Sequence, residues 1–136
     1  MTTAYEQFGG APFFESLTAA FYRRVAGDDV LRPMYPDADL AEAERRLRMF
    51  LEQYWGGPTT YGEERGHPRL RMRHHDFAID SVARDRWIAA MRGALDEQGL
   101  APDLDMELWR YLLSSAYAMQ NIMDDTPPGS LDQVQR

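Results

Sequence analysis

The amino-acid sequence predicts an all-α domain. Apolar residues recur at intervals of three and four in several windows, the mark of helices with one buried face. Strand-like alternation is weak throughout. Glycine, proline and capping residues fall between the periodic stretches, where helices stop and start. The 136 residues suit one domain, and 44% of them are hydrophobic, enough for a core without staples. No internal repeat or interdomain linker interrupts residues 1–124, and 125–136, "DTPPGSLDQVQR", read as a disordered tail.

The first clear helix is expected from about Pro12 to Ala26. Pro12 suits a first helical position, and Phe14, Leu17, Phe21 and Val25 form its stripe with Tyr22 beside them. "GDDVLRPMYPD" then breaks the chain, with a short helical turn at Asp29–Met34. The second helix spans about 39–55. Asp39 stands at its cap with Glu42 three residues on, the pattern of a capping box. Leu40, Ala43, Leu47, Phe50, Leu51 and Tyr54 make its apolar face, and Gly56–Gly57–Pro58 ends it. Residues 56–66 read as a loop, long enough to suggest a task.

Pro68 opens a short helix over 68–76. Asp80 caps the next, about 81–98, with Trp87, Ile88, Met91 and Leu95 on one face and Gly99 at its end. The last helix is expected over about 104–124, with Met106, Trp109, Leu113, Ala116, Gln120 and Met123 as its stripe.

The net charge of −7 argues against nucleic acid, whose binding rests on clustered cations. The run Arg69, Arg71, Arg73 is too short to reverse that, and anionic membrane surfaces are disfavoured for the same reason. No cysteine is present, which excludes disulfides, zinc–thiolate sites, iron–sulfur clusters and cysteine nucleophiles. "MTTAYEQFGG" has no apolar signal region, and no stretch approaches the roughly 20 apolar residues of a membrane span. A soluble cytoplasmic protein without a membrane anchor is expected.

The three histidines are His67, His74 and His75. His67 lies between Gly66 and Pro68 and reads as a loop residue. His74 shares a helical face with Leu70 and Phe77, whereas His75 shares one with Arg71, Met72, Ala78 and Ile79. The pattern leans towards His74 as the buried member and leaves the pair open. Histidines so clustered do not suit a zinc site drawn from distant elements. Repeated Glu-x-x-His motifs, which a diiron bundle needs, are absent. A preformed cofactor that needs one protein histidine remains open, and haem is such a group.

"YPDADLAEAERRLRMFLEQYWGGP", then "GHPRLRMRH", then a tryptophan early in the following helix resemble the truncated haemoglobins. Within them the chain is most similar to group II, the O-type of actinobacteria. The resemblance covers about residues 5–124 and includes the pairs Gly9–Gly10 and Gly56–Gly57. It implies a two-over-two helical sandwich around haem b (iron protoporphyrin IX) that binds dioxygen, carbon monoxide and nitric oxide. It places the proximal iron ligand at His74 and gives His75 no role.

Dioxygen on ferrous iron draws negative charge, so hydrogen-bond donors aimed at it slow its release. The helix over 39–55 contains no histidine, and the matching distal position is the small Ala43. The resemblance supplies other donors, Tyr22, Tyr35 and Trp87, each an apolar body with a polar tip. Leu47 and Phe50 would line the pocket, with Phe77 on the His74 face. Arg46, Arg73 and Tyr61 are candidate partners for the haem propionates.

Tight, reversible dioxygen binding is therefore expected, with oxygen-dependent redox, peroxidase-like or nitric-oxide-detoxifying chemistry as uses. No dinucleotide fingerprint is present, so turnover would need a separate reductase. The alternatives are a haem-based gas sensor acting through a partner protein and a cofactor-free helical interaction module. A second copy of the chain is a further candidate partner.

Overall fold

The computed structural model describes residues 2–36, 38–65 and 79–120; for Tyr61, Glu64 and Arg65 it describes the backbone alone. Six α-helices occupy the described residues: α1 (Ala4–Phe8), α2 (Gly10–Ala26), α3 (Ala41–Tyr54), α4 (Thr60–Arg65), α5 (Ser81–Asp96) and α6 (Pro102–Met119). A 3-10 turn, Arg32–Met34, lies between α2 and α3.

α2 is the centre of the fold. Phe14, Leu17, Ala20, Phe21 and Val25 lose all contact with solvent. Their spacing puts them on one side of the helix, where α3 and α5 pack. α5 in turn carries α6. The α2–α3 and α5–α6 pairs give the two-over-two arrangement. Thr18, fully buried among these residues, satisfies its hydroxyl on the Phe14 carbonyl at 2.8 Å.

The short helix α1 was not expected. Thr3 and Glu6 form a capping box, with Glu6 N–H donating to Thr3 Oγ1 at 3.1 Å. Phe8 from α1 enters the core. Gly9, at φ 126°, turns the chain sharply into α2, which therefore begins at Gly10 rather than Pro12. The Tyr5 N–H donates to the Trp55 carbonyl at 2.9 Å and ties α1 to the end of α3. That approach explains the glycine after Gly56. A Cβ on Gly57 would stand 2.6 Å from Tyr5 Cδ2 and 2.9 Å from the Glu52 carbonyl oxygen.

The cap of α3 differs from the expected capping box. The N-cap residue is Leu40, whose carbonyl accepts from Glu44 N–H, and Asp39 stands one position earlier. The Asp39 carboxylate accepts from Ala41 N–H at 2.9 Å, so a side chain still satisfies an orphan donor. Glu42 instead pairs with Arg46 at 3.7 Å and Arg45 at 4.0 Å.

The stretch expected to be a loop over 56–66 contains α4, which rests on α3; Gly62 N–H donates to Gln53 Oε1 at 2.8 Å. Asp80 caps α5 as expected, accepting from Ala83 N–H at 2.9 Å. On α6 the buried stripe is Leu108, Leu112, Ala116 and Met119, which shares Ala116 with the stripe expected from Met106 but not Met106, Trp109 or Leu113. Met106 is 56% exposed because α6 starts at Pro102 and buries the side facing α5. No helix among the described residues is long and apolar enough to cross a membrane.

Candidate functional site

Tyr22 lies on the flank of the α2 stripe, buried at 6% exposure. Tyr35 follows the 3-10 turn and precedes Pro36. A residue before proline is pushed out of the helical region, and Tyr35 is extended at φ −108°, ψ 112°. The chain therefore leaves the turn with the Tyr35 ring against Tyr22, edge to face, at 5.6 Å between centroids. The Arg32 guanidinium holds this corner from outside, donating to the Tyr35 carbonyl at 2.9 Å and the Ala38 carbonyl at 3.0 Å.

The two hydroxyls face each other across this corner, close enough for each to act on the other's proton. Burial pushes the Tyr22 hydroxyl well above the ordinary phenol value, helped by the Tyr35 oxygen it faces. Burial also raises Tyr35. Both are neutral phenols at neutral pH. Two facing phenols carry two protons, so one O–H can serve the neighbouring oxygen while the other stays available to a further acceptor.

Trp87 comes from the second turn of α5 and is half-buried. Its ring meets Phe21 at 5.5 Å, and Phe21 meets Tyr22 at 4.9 Å. The rings Trp87, Phe21, Tyr22 and Tyr35 thus form one continuous chain across three elements. The structure brings all three expected donors together, with Phe21 as the joint between them. Trp87 also packs with Met34 and Val30 against a small cluster of Ile79, Ala83 and Met119.

Ala43, Leu47 and Phe50 lie on one stripe of α3 and all pack on the core around α2. Phe50 is buried, while Ala43 and Leu47 are half-exposed. Arg46 is half-buried between these two and pairs with an exposed Glu42. Its positive charge is felt at both tyrosine hydroxyls, where it favours the ionised form against burial. The site therefore has an apolar wall, a neutral donor pair, an indole and one nearby guanidinium.

Tyr61 belongs to α4 by its backbone. His74, Arg73 and Phe77 lie outside the described residues, as do His67 and His75. Two residues that shape the site had not been singled out, Arg32 and Phe21 in its role as a joint. Phe21 was visible as a core position. Nothing local marks Arg32, whose bonds exist only once the turn has folded.

The chain matches the model of the bacterial-like globin family over residues 3–121. It is 40% identical over 112 residues to the group 2 truncated hemoglobin YjbI of Bacillus subtilis, covering 82% of this chain and 84% of that one. The thermostable hemoglobin of the actinobacterium Thermobifida fusca is 55% identical and superposes with a TM-score of 0.88, over 89% of this chain and 98% of that one. A Bacillus subtilis structure described as a truncated oxygen-avid haemoglobin is 39% identical with a TM-score of 0.83, over 88% of this chain and all of that one.

Proposed function

The chain belongs to the bacterial-like globin family, among its group II truncated haemoglobins, and haem-based oxygen binding follows from that membership; we propose that it holds dioxygen tightly and releases it slowly. The observation that carries this reading is the buried Tyr22–Tyr35 pair, hydroxyl facing hydroxyl, joined through Phe21 to Trp87.

The residues present fit haem. Ala43, Leu47, Met34 and Trp87 leave apolar surface half-covered on one side of the core. A large flat apolar group covers such a wall favourably. Arg46 lies at its flank, paired with the exposed Glu42 carboxylate, and suits a propionate. Haem b is the form proposed; His74 would bind its iron, and Phe77 would line the same side. Arg73 and Tyr61 are the further propionate partners. Haem supplies ferrous iron that accepts a diatomic ligand and passes electron density onto it.

The chain's own contribution is the set of donors. Tyr22 fixes the Tyr35 hydroxyl by donating to it. Tyr35 O–H and the Trp87 indole N–H then serve the ligand. A hydrogen bond to a charged acceptor contributes about 1.5–3 kcal/mol, so one such bond slows release by about ten- to a hundredfold. Two donors together make a poor carrier and a strong retainer. A bacterial relative described as oxygen-avid supports this direction. Redox use of the retained dioxygen would draw electrons from a separate reductase, and a cytoplasmic setting suits such a partner.

Displacement of dioxygen by carbon monoxide in a stopped-flow instrument tests the proposal. The haem-loaded wild type should release slowly, and Tyr35→Phe should release at least about tenfold faster. A colourless protein that takes up no haem, or a Tyr35→Phe rate equal to wild type, would overturn it.

A further inference from the structure

The donors Tyr35 and Trp87 belong to different elements, and a polar path runs beside the ring chain that joins them. Arg86 immediately precedes Trp87 on α5. Its guanidinium reaches Asp29 Oδ1 at 3.0 Å and Asp28 Oδ2 at 3.4 Å. Asp28 opens the corner that ends in Tyr35. Its Oδ1 accepts from Val30 N–H at 2.8 Å and Leu31 N–H at 2.9 Å, and its carbonyl accepts from Arg32 N–H at 3.0 Å. Arg32 in turn holds the Tyr35 carbonyl. The path is Arg86, Asp28, Arg32, Tyr35, and it connects the backbone next to one donor with the backbone of the other.

The path is anchored at its middle. The Asp28 side chain is only 16% exposed. Burial opposes its charge, yet the Leu31 and Val30 N–H groups and the Arg86 guanidinium hold its carboxyl below the usual carboxylate range. Arg86 itself is outside, 45% exposed. A pair of this kind adds little to global stability. Position is a different matter, because a donor displaced by a fraction of an ångström or misaligned loses much of its hydrogen bond.

We propose that Arg86 is a positioning residue for the ligand site: its ion pairs with Asp28 and Asp29 set the placement of Trp87 relative to the Tyr22–Tyr35 pair, and so the rate of ligand release. This rests on the haem reading above. The role differs from that of Trp87, since Arg86 acts through the corner and not on the ligand. It also makes release sensitive to ionic strength, because a surface ion pair weakens as salt rises.

The test uses the full chain with Arg86→Gln, Arg86→Lys and the double variant Asp28→Asn/Asp29→Asn. Asparagine at 28 keeps an oxygen for the Val30 and Leu31 N–H groups and removes only the charge. Three readouts are taken: the dioxygen release rate against salt, the C–O stretching frequency of the carbonmonoxy form, and amide hydrogen exchange at Val30 and Leu31.

Arg86→Gln should release about two- to fivefold faster, lose the salt dependence of wild type and shift the C–O stretch. Its Val30 and Leu31 amides should exchange faster. Arg86→Lys should recover most of each effect. The double variant should match Arg86→Gln, and adding Arg86→Gln to it should change nothing further. Normal haem uptake with Arg86→Gln equal to wild type in rate, stretch and exchange would overturn the positioning role and leave the haem reading intact. Wild type that takes up no haem would overturn that reading, and with it the ligand-release role. Exchange in the haem-free chain then still decides whether Arg86 holds the corner.

Discussion

The Tyr22 and Tyr35 rings meet edge-on with centroids 5.6 Å apart, and their buried hydroxyls face each other. The proposed direction of donation, Tyr22 to Tyr35, divides the labour: Tyr22 would use its proton within the pair, and Tyr35 would keep one for the ligand. Tyr22→Phe should therefore act indirectly, by loosening and depolarising Tyr35, and Tyr35→Phe directly. Dioxygen release should quicken in the order wild type, Tyr22→Phe, Tyr35→Phe. If Tyr22→Phe is the faster of the two variants, Tyr22 is the donor to the ligand and the order of roles is reversed. Burial raises both hydroxyls above the ordinary phenol value. The release rate should therefore be flat through neutral and mildly alkaline pH.

Packing, which the structure shows, and hydrogen-bond donation to the ligand, which is proposed, can be separated at Trp87 by one substitution. Its ring packs on Phe21 at 5.5 Å, and its indole N–H is a donor. Trp87→Phe keeps much of the ring contact and removes the N–H. Thermal stability should change little, while dioxygen release should speed up several-fold. An unchanged release rate would show that Trp87 serves packing alone.

The long helices were legible because the stripes on α2 and α5 are wide and regular, as Leu17, Phe21 and Val25 show. α1 was not, because five residues are too few for a period to register; its Thr3–Glu6 box was the available signal. The stripe on α6 was misplaced because Met106, Trp109 and Leu113 form a second apolar series beside Leu108, Leu112 and Ala116. Only packing on α5 decides which one is buried. At the site, Tyr22, Tyr35 and Trp87 look in sequence like ordinary core or corner aromatics. Family resemblance identified them, and the ring chain through Phe21 shows how they meet. Arg32 and Arg86 carry no sequence signal at all, because their partners are defined by the folded corner.

Glu52 gives a pH-dependent test of the fold away from the ligand site. It is buried at 7% exposure on α3, facing the Tyr5 hydroxyl of α1. Burial raises its carboxyl above the ordinary value, the Arg48 charge opposes this, and Glu15 adds to it. The folded chain thus keeps a proton at pH values where the unfolded chain has lost it. Stability must fall as pH rises from the unfolded to the folded pKa of this group, and the penalty persists above. Glu52→Gln removes that fall. Denaturation midpoints should be similar for both proteins near about pH 4 and higher for Glu52→Gln at neutral pH. A less stable glutamine variant at neutral pH would mean that Arg48 and Tyr5 outweigh burial.

The adjacent histidines separate most cleanly in solution. Neighbours on a helix point about 100° apart, so His74 and His75 cannot serve one iron from one face. At helical spacing the sequence would put His74 on one face with Leu70 and Phe77, and His75 on another with Arg71. An axial ligand belongs on the face that can lie against an apolar macrocycle. His74→Ala should therefore abolish the histidine-ligated ferrous spectrum and weaken haem retention. His75→Ala should leave the ferrous and carbonmonoxy spectra as in wild type. Added imidazole should restore a histidine-like ferrous spectrum to His74→Ala, because it replaces the missing nitrogen without a tether. The opposite pattern, with His75→Ala losing the signature, would move the ligand by one residue and rotate the segment around it. Loss in neither variant would remove both from the iron and leave His67 as the remaining histidine in the chain.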